Sequence, residues 1–587
     1  MKWQASAISL AGAFGVGHLD PTVPARSNRF LSSSCSALLL LLLLLPGCEA
    51  DVAQTAVSQP VGPLDCSSPG SVELPSDAVF GDGSEPVSNW VGQGYSAEQG
   101  PGLFVAARDA FRVYLNEQLV VASVAPREGV FVPLTLLPGD NVLAVVVNAK
   151  SGTPAAVLQL DELERSYASD VSWKVSAAPG QGFGSIEYDD SSWPAATDLG
   201  VLGSLPGCDP SNFPEASGAH WLGAAPGTGT TVVLRKVIHI TPLGYGAAAS
   251  GGRGATPTLV DSWQDFQALA SDPDAPAVIV LAEGVHDFRT PARDQAACPT
   301  ACDNDATKSE YNVLTASTGM CKVASVTRTR REQRLLLGSN KTIVGLGRGA
   351  QLRGVSFEFG TAHNVVLRNL AVYDVNPDLI EAGDAFGLTQ ATQVWIDHAT
   401  TKWISDGFDD IRSGSQGITL SWLHYDGVSA SECSGQHVRT ADITGATVTF
   451  HHCFFDHVQS NSPTVRDAAE VHLFANLFSD NPGIAVAALC GAQVLLEGNT
   501  FQRVATPTER PSCADNLPSG RINAPAGSNY YGPDVGAHRG GNGKEPHDPV
   551  FKPPYDDLGG GVPRDEWQTV FARAGAGGPW RLPLALD

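Results

Sequence analysis

Positive charge is scarce in this 587-residue chain: 37 Lys and Arg stand against 61 Asp and Glu, a formal net charge of −24. A surface of that sign repels phosphate backbones, which removes nucleic acid from the candidate partners. It also repels any polyanionic substrate at long range, so a site for one needs a local remedy: bridging cations or a few well-placed Arg residues. After residue 50 no stretch is long and apolar enough to cross a bilayer. The second half lacks the 3.6-residue apolar rhythm of helical repeats. Zinc lacks its ligands: Cys298 and Cys302 are closely spaced, but no companion His or Cys pair completes a site.

What is abundant points to β-structure. Gly at 62 and Pro at 40 exceed average usage and favour a turn-rich protein, and 43% hydrophobic residues suffice for well-formed cores. The length implies two or three domains.

Near the start, the Leu-rich run from Ala37 to Leu45 follows Arg26 and Arg29 and ends in Leu45-Pro46-Gly47-Cys48. The run is too short to span a membrane and reads as the apolar part of a signal peptide. Its end resembles the bacterial lipobox, so residues 1–48 are expected to be a signal peptide with lipobox and Cys48 to carry lipid. The protein is then expected to be a secreted or cell-surface bacterial lipoprotein, touching a membrane only through that anchor. Residues 49–75, small and polar, read as a linker. Export permits disulfides, and one bridge is expected among Cys298, Cys302 and Cys321.

Residues 76–242 show short β runs, such as Ala110–Leu115 and Val142–Val145, broken by turn chemistry at Pro138-Gly139-Asp140-Asn141. This stretch, with Tyr188-Asp189-Asp190-Ser191-Ser192-Trp193, resembles the galactose-binding-like jelly-roll modules attached to glycan-processing enzymes. Trp173, Trp193 and Trp221 read as core residues before sugar platforms.

From residue 243 the pattern changes. The spacing over Val260–Leu269 predicts a short amphipathic helix capping the first coil of a solenoid. Then short alternating segments recur, starting at Val365, Val394, Ile418, Val448, Val471 and Val494. A period in the twenties built from short strands means a solenoid with one face of each strand inward. Asn476 and Asn499, each two residues before a Phe, can bond along the stack. That ladder is expected to be short, because Leu423 and Cys453 take the matching places.

The phrases Asn340-Lys341-Thr342-Ile343-Val344-Gly345, Arg368-Asn369-Leu370, Gly383-Asp384-Ala385, Trp395-Ile396-Asp397-His398 and Asp406-Gly407-Phe408-Asp409-Asp410-Ile411 closely resemble, in that order, the pectate lyase family. The resemblance covers about 243–587. It implies an all-β chain: a right-handed parallel β-helix behind an N-terminal β-sandwich of jelly-roll type. It also implies β-elimination on polygalacturonate: removal of the C5 proton of a uronic acid and departure of the C4 oxygen. The C–H is poorly acidic, so calcium on the neighbouring carboxylate and Arg contacts would stabilise the developing charge.

By that resemblance Asp384, Asp406 and Asp410 are the calcium ligands, since calcium takes several hard oxygens. A further family ligand position falls on Ala382, beside Glu381. Arg412 and Arg466 are the substrate-binding cations, and a family Lys position falls on Ala430. The family's R-x-P-x-x-R phrase appears as Asn461-Ser462-Pro463-Thr464-Val465-Arg466, so the catalytic base position holds Asn461. A neutral amide is a poor C–H base, and its loss costs about 10²–10⁴-fold. Three readings stay open: another base among His437, Arg439 and His457; binding of polyuronate without cleavage; or action on another acidic polysaccharide. The expected partner is an acidic plant or matrix polysaccharide, met by a monomer. His398, His451 and His452 read as packing residues.

Overall fold

The structure, a computed structural model, describes residues 100–587 apart from 124–128, 151, 206–207, 211–212, 214–217, 226, 303–304, 316–318, 514–517, 541, 556–566 and 585–587. The expected signal segment, Cys48 and the linker lie outside the described residues. No described helix is long and apolar enough to cross a membrane.

The first part is a β-sandwich of antiparallel strands. One sheet runs Val130–Pro133, Gly102–Ala107, Ala155–Asp161, His220–Gly223, Thr197–Val201, with Ser166–Ala168 added beside Ala155–Asp161. The other runs Gln118–Ser123, Ala110–Leu115, Gly139–Asn148, Thr231–Ile240, Lys174–Ser176. Alternation buries Leu103, Val105, Phe111, Val113, Val145 and Leu158 between them. The Pro-Gly-Asp-Asn turn works as its residues require: Gly139 takes φ 93°, and the buried Asn141 amide bonds both N–H and C=O of Leu137. Trp173 and Trp221 are buried, and Trp193 packs edge-on against Tyr188, so all three serve packing.

The second part is a parallel β-helix of 23 strands. Helix α1, Trp263–Ser271, is capped by Ser262 Oγ on the Asp265 N–H and closes the first coil with fully buried Phe266 and Ala270. Each later coil contributes to three sheets. The groove sheet holds Phe386–Thr389, Asp409–Arg412, Ala441–Thr444 and Thr464–Arg466. The second sheet pairs Val365 with Val394, Val394 with Ile418, Ile418 with Val448, Val448 with Val471, and Val471 with Val494. Those are the recurrences visible in the sequence, so the repeat spacing is the strand register itself. The third sheet stacks Thr400–Lys402, His424–Asp426, Phe454–Asp456 and Leu477–Ser479.

Inside, Tyr425, Phe455, Phe478, Phe501 and Tyr531 stack one above another with centroids 4.5–5.1 Å apart. Each buried ring contributes about 1.5–3 kcal/mol. The Asn ladder is one rung longer than expected: Asn476 Nδ2 donates to Asn499 Oδ1 and Asn499 Nδ2 to Asn529 Oδ1, at 2.9 and 3.0 Å. It ends at the Cys453 N–H, as the substitution there predicts.

Residues 244–252 join the two parts by lying flat on the second sheet. The N–H groups of Tyr245, Gly246, Gly251 and Gly252 donate to Thr449, Thr419, Asn364 and Thr342 side chains in turn. A Cβ on Gly252 would sit 2.0 Å from Ala277 O, so only glycine allows this approach. The sandwich docks beside it. Val366 and Trp395, outward on the second sheet, join the sandwich core. Arg368 is 1% exposed yet donates to both Glu162 oxygens, 2.7 and 3.1 Å, and to Asp397 at 2.8 Å.

Candidate active site

The outward positions of the groove sheet form two adjacent columns. One carries Glu358, Gly387, Asp410, Asp442 and Thr464; the next carries Thr389, Arg412, Thr444 and Arg466. Parallel pairing places these side chains about 5 Å apart from coil to coil, whatever their separation in sequence. The turns between the third sheet and the groove sheet bring Glu381, Asp384, Asp406, Arg439 and Asn461 to one border of the trough.

The three predicted calcium ligands lie close enough there to act on one another's charge. Asp384 Oδ1 accepts from the Gly407 N–H at 3.0 Å, and a Cβ on Gly407 would press to 3.3 Å of that oxygen. Burial, and then the charges of Asp406 and Asp410, push the Asp384 carboxyl up to about 8. Burial and Glu381 push Asp406 up to about 6. Burial also raises Asp410, whose Oδ1 is sealed from solvent without a hydrogen-bond partner. A carboxylate oxygen in that state favours a proton or a cation, which fits a metal ligand. The triad is open, however: among the described residues the group of ligand atoms within 4.8 Å of one another is Asp456, His457 and Asp480. That group is already engaged, Asp480 by Arg503 at 2.5 Å and Asp456 by His424 at 3.2 Å. Ala382, at a ligand position of the family, is buried and supplies no carboxylate.

Cations hold the rest of the trough. Arg412 donates to Asp410 at 2.7 Å and reaches Asp442 at 3.4 Å. Arg466 grips Asp442 through Nε, at 2.9 Å, and Nη2. Asp442 was not among the predicted site residues, although Asp442-Ile443 repeats Asp410-Ile411 one coil later and pairs with it in register. Arg412 and Arg466 remain 48% and 40% exposed, which leaves guanidinium edges for a ligand. Arg439 Nη1 lies 3.4 Å from Asp406 and 3.8 Å from Glu381.

Asn461 borders the trough through its backbone. Its carbonyl accepts from the N–H groups of Thr440 and Ala441, and its N–H donates to Ile484 O. Among the described residues its side-chain oxygen accepts only from neighbouring Ser460, at 3.2 Å. Of the candidate replacement bases, His437 is buried with Nδ1 on Glu432 at 2.6 Å and a sealed Nε2, so it cannot reach a substrate. His457 is held by Asp456 at 2.6 Å, beyond the third sheet. Arg439 alone of the three stands in the trough, paired by a β-bridge to Ser460. Ala430 is exposed on the same turn. His398 is fully buried against Asp397 and stacks on Trp422, a packing role.

An excursion between coils roofs one end of the border. Its three strands, Asp305–Val313, Arg293–Cys302 and Val326–Arg330, lie against Ile380. Cys298 bonds Cys321, the local bridge expected, while Cys302 bonds Cys433, 131 residues on, clipping the roof to the turn that carries Arg439. The half-open cavity there, of about 270 Å³, is lined by Glu310, Asp378, Glu381, Asp406 and Glu432 against Arg439.

Comparison with known proteins finds relatives of one family. A pectate lyase family model matches residues 310–516. A probable pectin lyase D from Aspergillus flavus is 30% identical over 312 residues, covering 50% of this chain and 80% of that protein. A probable pectin lyase F-2 from Aspergillus terreus is 30% identical over 282 residues, but only 58% of its length is spanned. Among solved structures, a Bacillus pectate lyase in complex with trigalacturonate aligns over 57% of this chain and 99% of its own, with 20% identity and a TM-score of 0.37. The chain belongs to the pectate lyase family.

Proposed function

We propose that this protein is a polysaccharide lyase that acts on pectic polysaccharide by β-elimination in the groove-sheet trough. The observation that supports it is convergence: Asp384, Asp406 and Asp410, from two turns and a strand, share one electrostatic neighbourhood, and Arg466 lies within reach of Asp410. Arg412 and Arg466 would hold the acidic or esterified groups of the sugar chain through their exposed edges. Asp384, Asp406 and Asp410 would hold calcium, which supplies charge neutralisation beside the C5 proton. Because the triad is open, oxygens from the saccharide would have to complete the shell. Arg439 already places a positive charge on Asp406 and Glu381, so part of that neutralisation comes from the protein itself. Lowering the charge of the developing anion is the step these groups perform; proton removal is the step for which Asn461 is the weak point.

Asn461 supports a second reading, a surface protein that binds acidic polysaccharide without cleaving it. One assay separates the two. Purified protein is incubated with polygalacturonate and, separately, methyl-esterified pectin, with calcium and with chelator, and unsaturated-uronide absorbance is followed. Appearance of product supports the lyase; retained polysaccharide binding with no product under any condition supports the binder.

A further inference from the structure

A second cavity, of about 450 Å³, opens on the third sheet, a different face of the β-helix from the trough. Its floor is the outer surface of that sheet around Thr400, Lys402 and His424. Its wall is the C-terminal arm, which runs back across the coils after helix α2, Trp567–Arg573. The arm is pinned along its length: Gly575 N–H donates to Trp422 O, Ala576 N–H to Thr400 Oγ1, and Gln351 Nε2 to Pro583 O, at 2.7–3.0 Å.

The charge of this cavity is opposite to that of the protein. Among the described residues, Arg348, Lys402 and Arg581 line it against a single acid, Asp426. Lys402 is spent on Asp426 at 2.5 Å and Arg348 on Glu283 at 2.6 Å. Arg581 is different: no carboxylate among the described residues lies within ion-pair distance of it. Nη2 donates to Phe571 O at 2.6 Å, while Nη1 donates to Ala574 O and meets His424 Nδ1, both at 3.4 Å. Among the described residues those bonds leave Nε unused, and with Nη2 it forms the side-on edge with which a guanidinium grips a carboxylate. Beside it stands Trp403, partly exposed, held at φ 53°, with the Lys402 ammonium 5.0 Å from its ring centroid.

We propose that this cavity is a second, non-catalytic binding site for a uronate-bearing saccharide. Arg581 takes the sugar carboxylate side-on, Lys402 contributes a further positive charge, and Trp403 covers an apolar face of the ring. The choice of a uronate among carboxylates rests on the groove reading; the site itself does not. Such a site holds a polyanionic chain on a protein whose net charge of −24 otherwise repels it.

Calorimetric titration of the full chain with trigalacturonate, calcium chelated, tests it. Wild type is compared with a groove variant, Arg412→Ala with Arg466→Ala, and with that variant carrying Trp403→Ala or Arg581→Gln. The groove variant is expected to keep one binding event, weakened about tenfold or more by Trp403→Ala and by Arg581→Gln, with neutral trigalactose silent. Arg581→Gln also loosens helix α2, so Trp403→Ala, which breaks no hydrogen bond, is the deciding change. No residual binding in the groove variant, residual binding indifferent to Trp403→Ala, or complete displacement by equimolar inorganic sulfate overturns the proposal. Trp403-dependent binding in a protein that makes no eliminative product sinks the lyase reading of the groove and leaves this site standing.

Discussion

Arg439 Nη1 stands 3.4 Å from Asp406 Oδ1, so a fixed positive charge occupies the edge of the carboxylate cluster that a divalent cation would need. On the proposed calcium reading, guanidinium and calcium would therefore compete for Asp406. Arg439→Gln is expected to raise calcium affinity by about tenfold or more, since one nearby charge is worth about 1.4 kcal/mol or more in a partly buried site. Isothermal titration with calcium checks this; unchanged affinity would mean that Asp406 is no part of a calcium site.

Asp384 gives the cluster a pH signature. Its folded pKa of about 8 lies above the ordinary 3.8, so between those values the folded chain holds a proton that the unfolded chain has released. Stability from this group is complete below pH ~4 and is lost as pH rises towards ~8. Asp384→Asn, with no proton to lose, is expected to raise the melting temperature at pH 8 without calcium by about 2 °C or more, and to do little at pH 4. Thermal unfolding at both pH values decides; a variant less stable than wild type at pH 8 would refute the charge strain assigned to this carboxyl.

The base position can be rebuilt. Asn461 is tied in by its backbone and holds φ 54°, a conformation that costs an Arg about 1 kcal/mol, and the change gives up the one bond from Ser460 Oγ while keeping the backbone bonds. Asn461→Arg is expected to raise eliminative turnover on pectic substrate about 10²-fold or more, read as unsaturated product per enzyme. A rise from an undetectable baseline would place the natural protein among binders. No rise, with the fold intact by circular dichroism, would show that another element of the machinery is missing.

Glu162 and Arg368 join the sandwich to the β-helix. Breaking a buried pair by removing one partner strands the other charge, at about 3–5 kcal/mol. Arg368→Met is therefore expected to destabilise the protein by that amount in denaturant unfolding and to expose the sandwich to protease. Adding Glu162→Gln should recover part of the loss. An Arg368→Met protein as stable as wild type would show that Val366 and Trp395 hold the interface unaided.

The β-helix was legible because a solenoid converts sequence period into contact. Segments starting at Val365, Val394, Ile418 and Val448 pair at those residues, and the inward side of each is apolar. Asn476 and Asn499 marked a ladder, while Asn529 escaped notice in an irregular final coil. The family phrases placed Asp384, Asp406, Asp410, Arg412 and Arg466 in one trough because all lie within two residues of a groove-sheet strand or its entering turn. The Cys302–Cys433 bridge was beyond reach: it spans 131 residues and joins two irregular excursions with no periodicity to read.

The chain's own pattern thus determined the coil register, the inward faces, the sandwich turns and which acids and arginines share the trough, since each follows from local periodicity or a short phrase. Tertiary structure decided what those groups are free to do. Asp442 shared between two arginines, Arg439 set against Asp406, His437 sealed by Glu432 and Phe408, and Arg581 left without a carboxylate among the described residues all depend on side chains from different coils. Charge and hydrogen bonding act through distance in space, and no spacing along a chain encodes which partner arrives first.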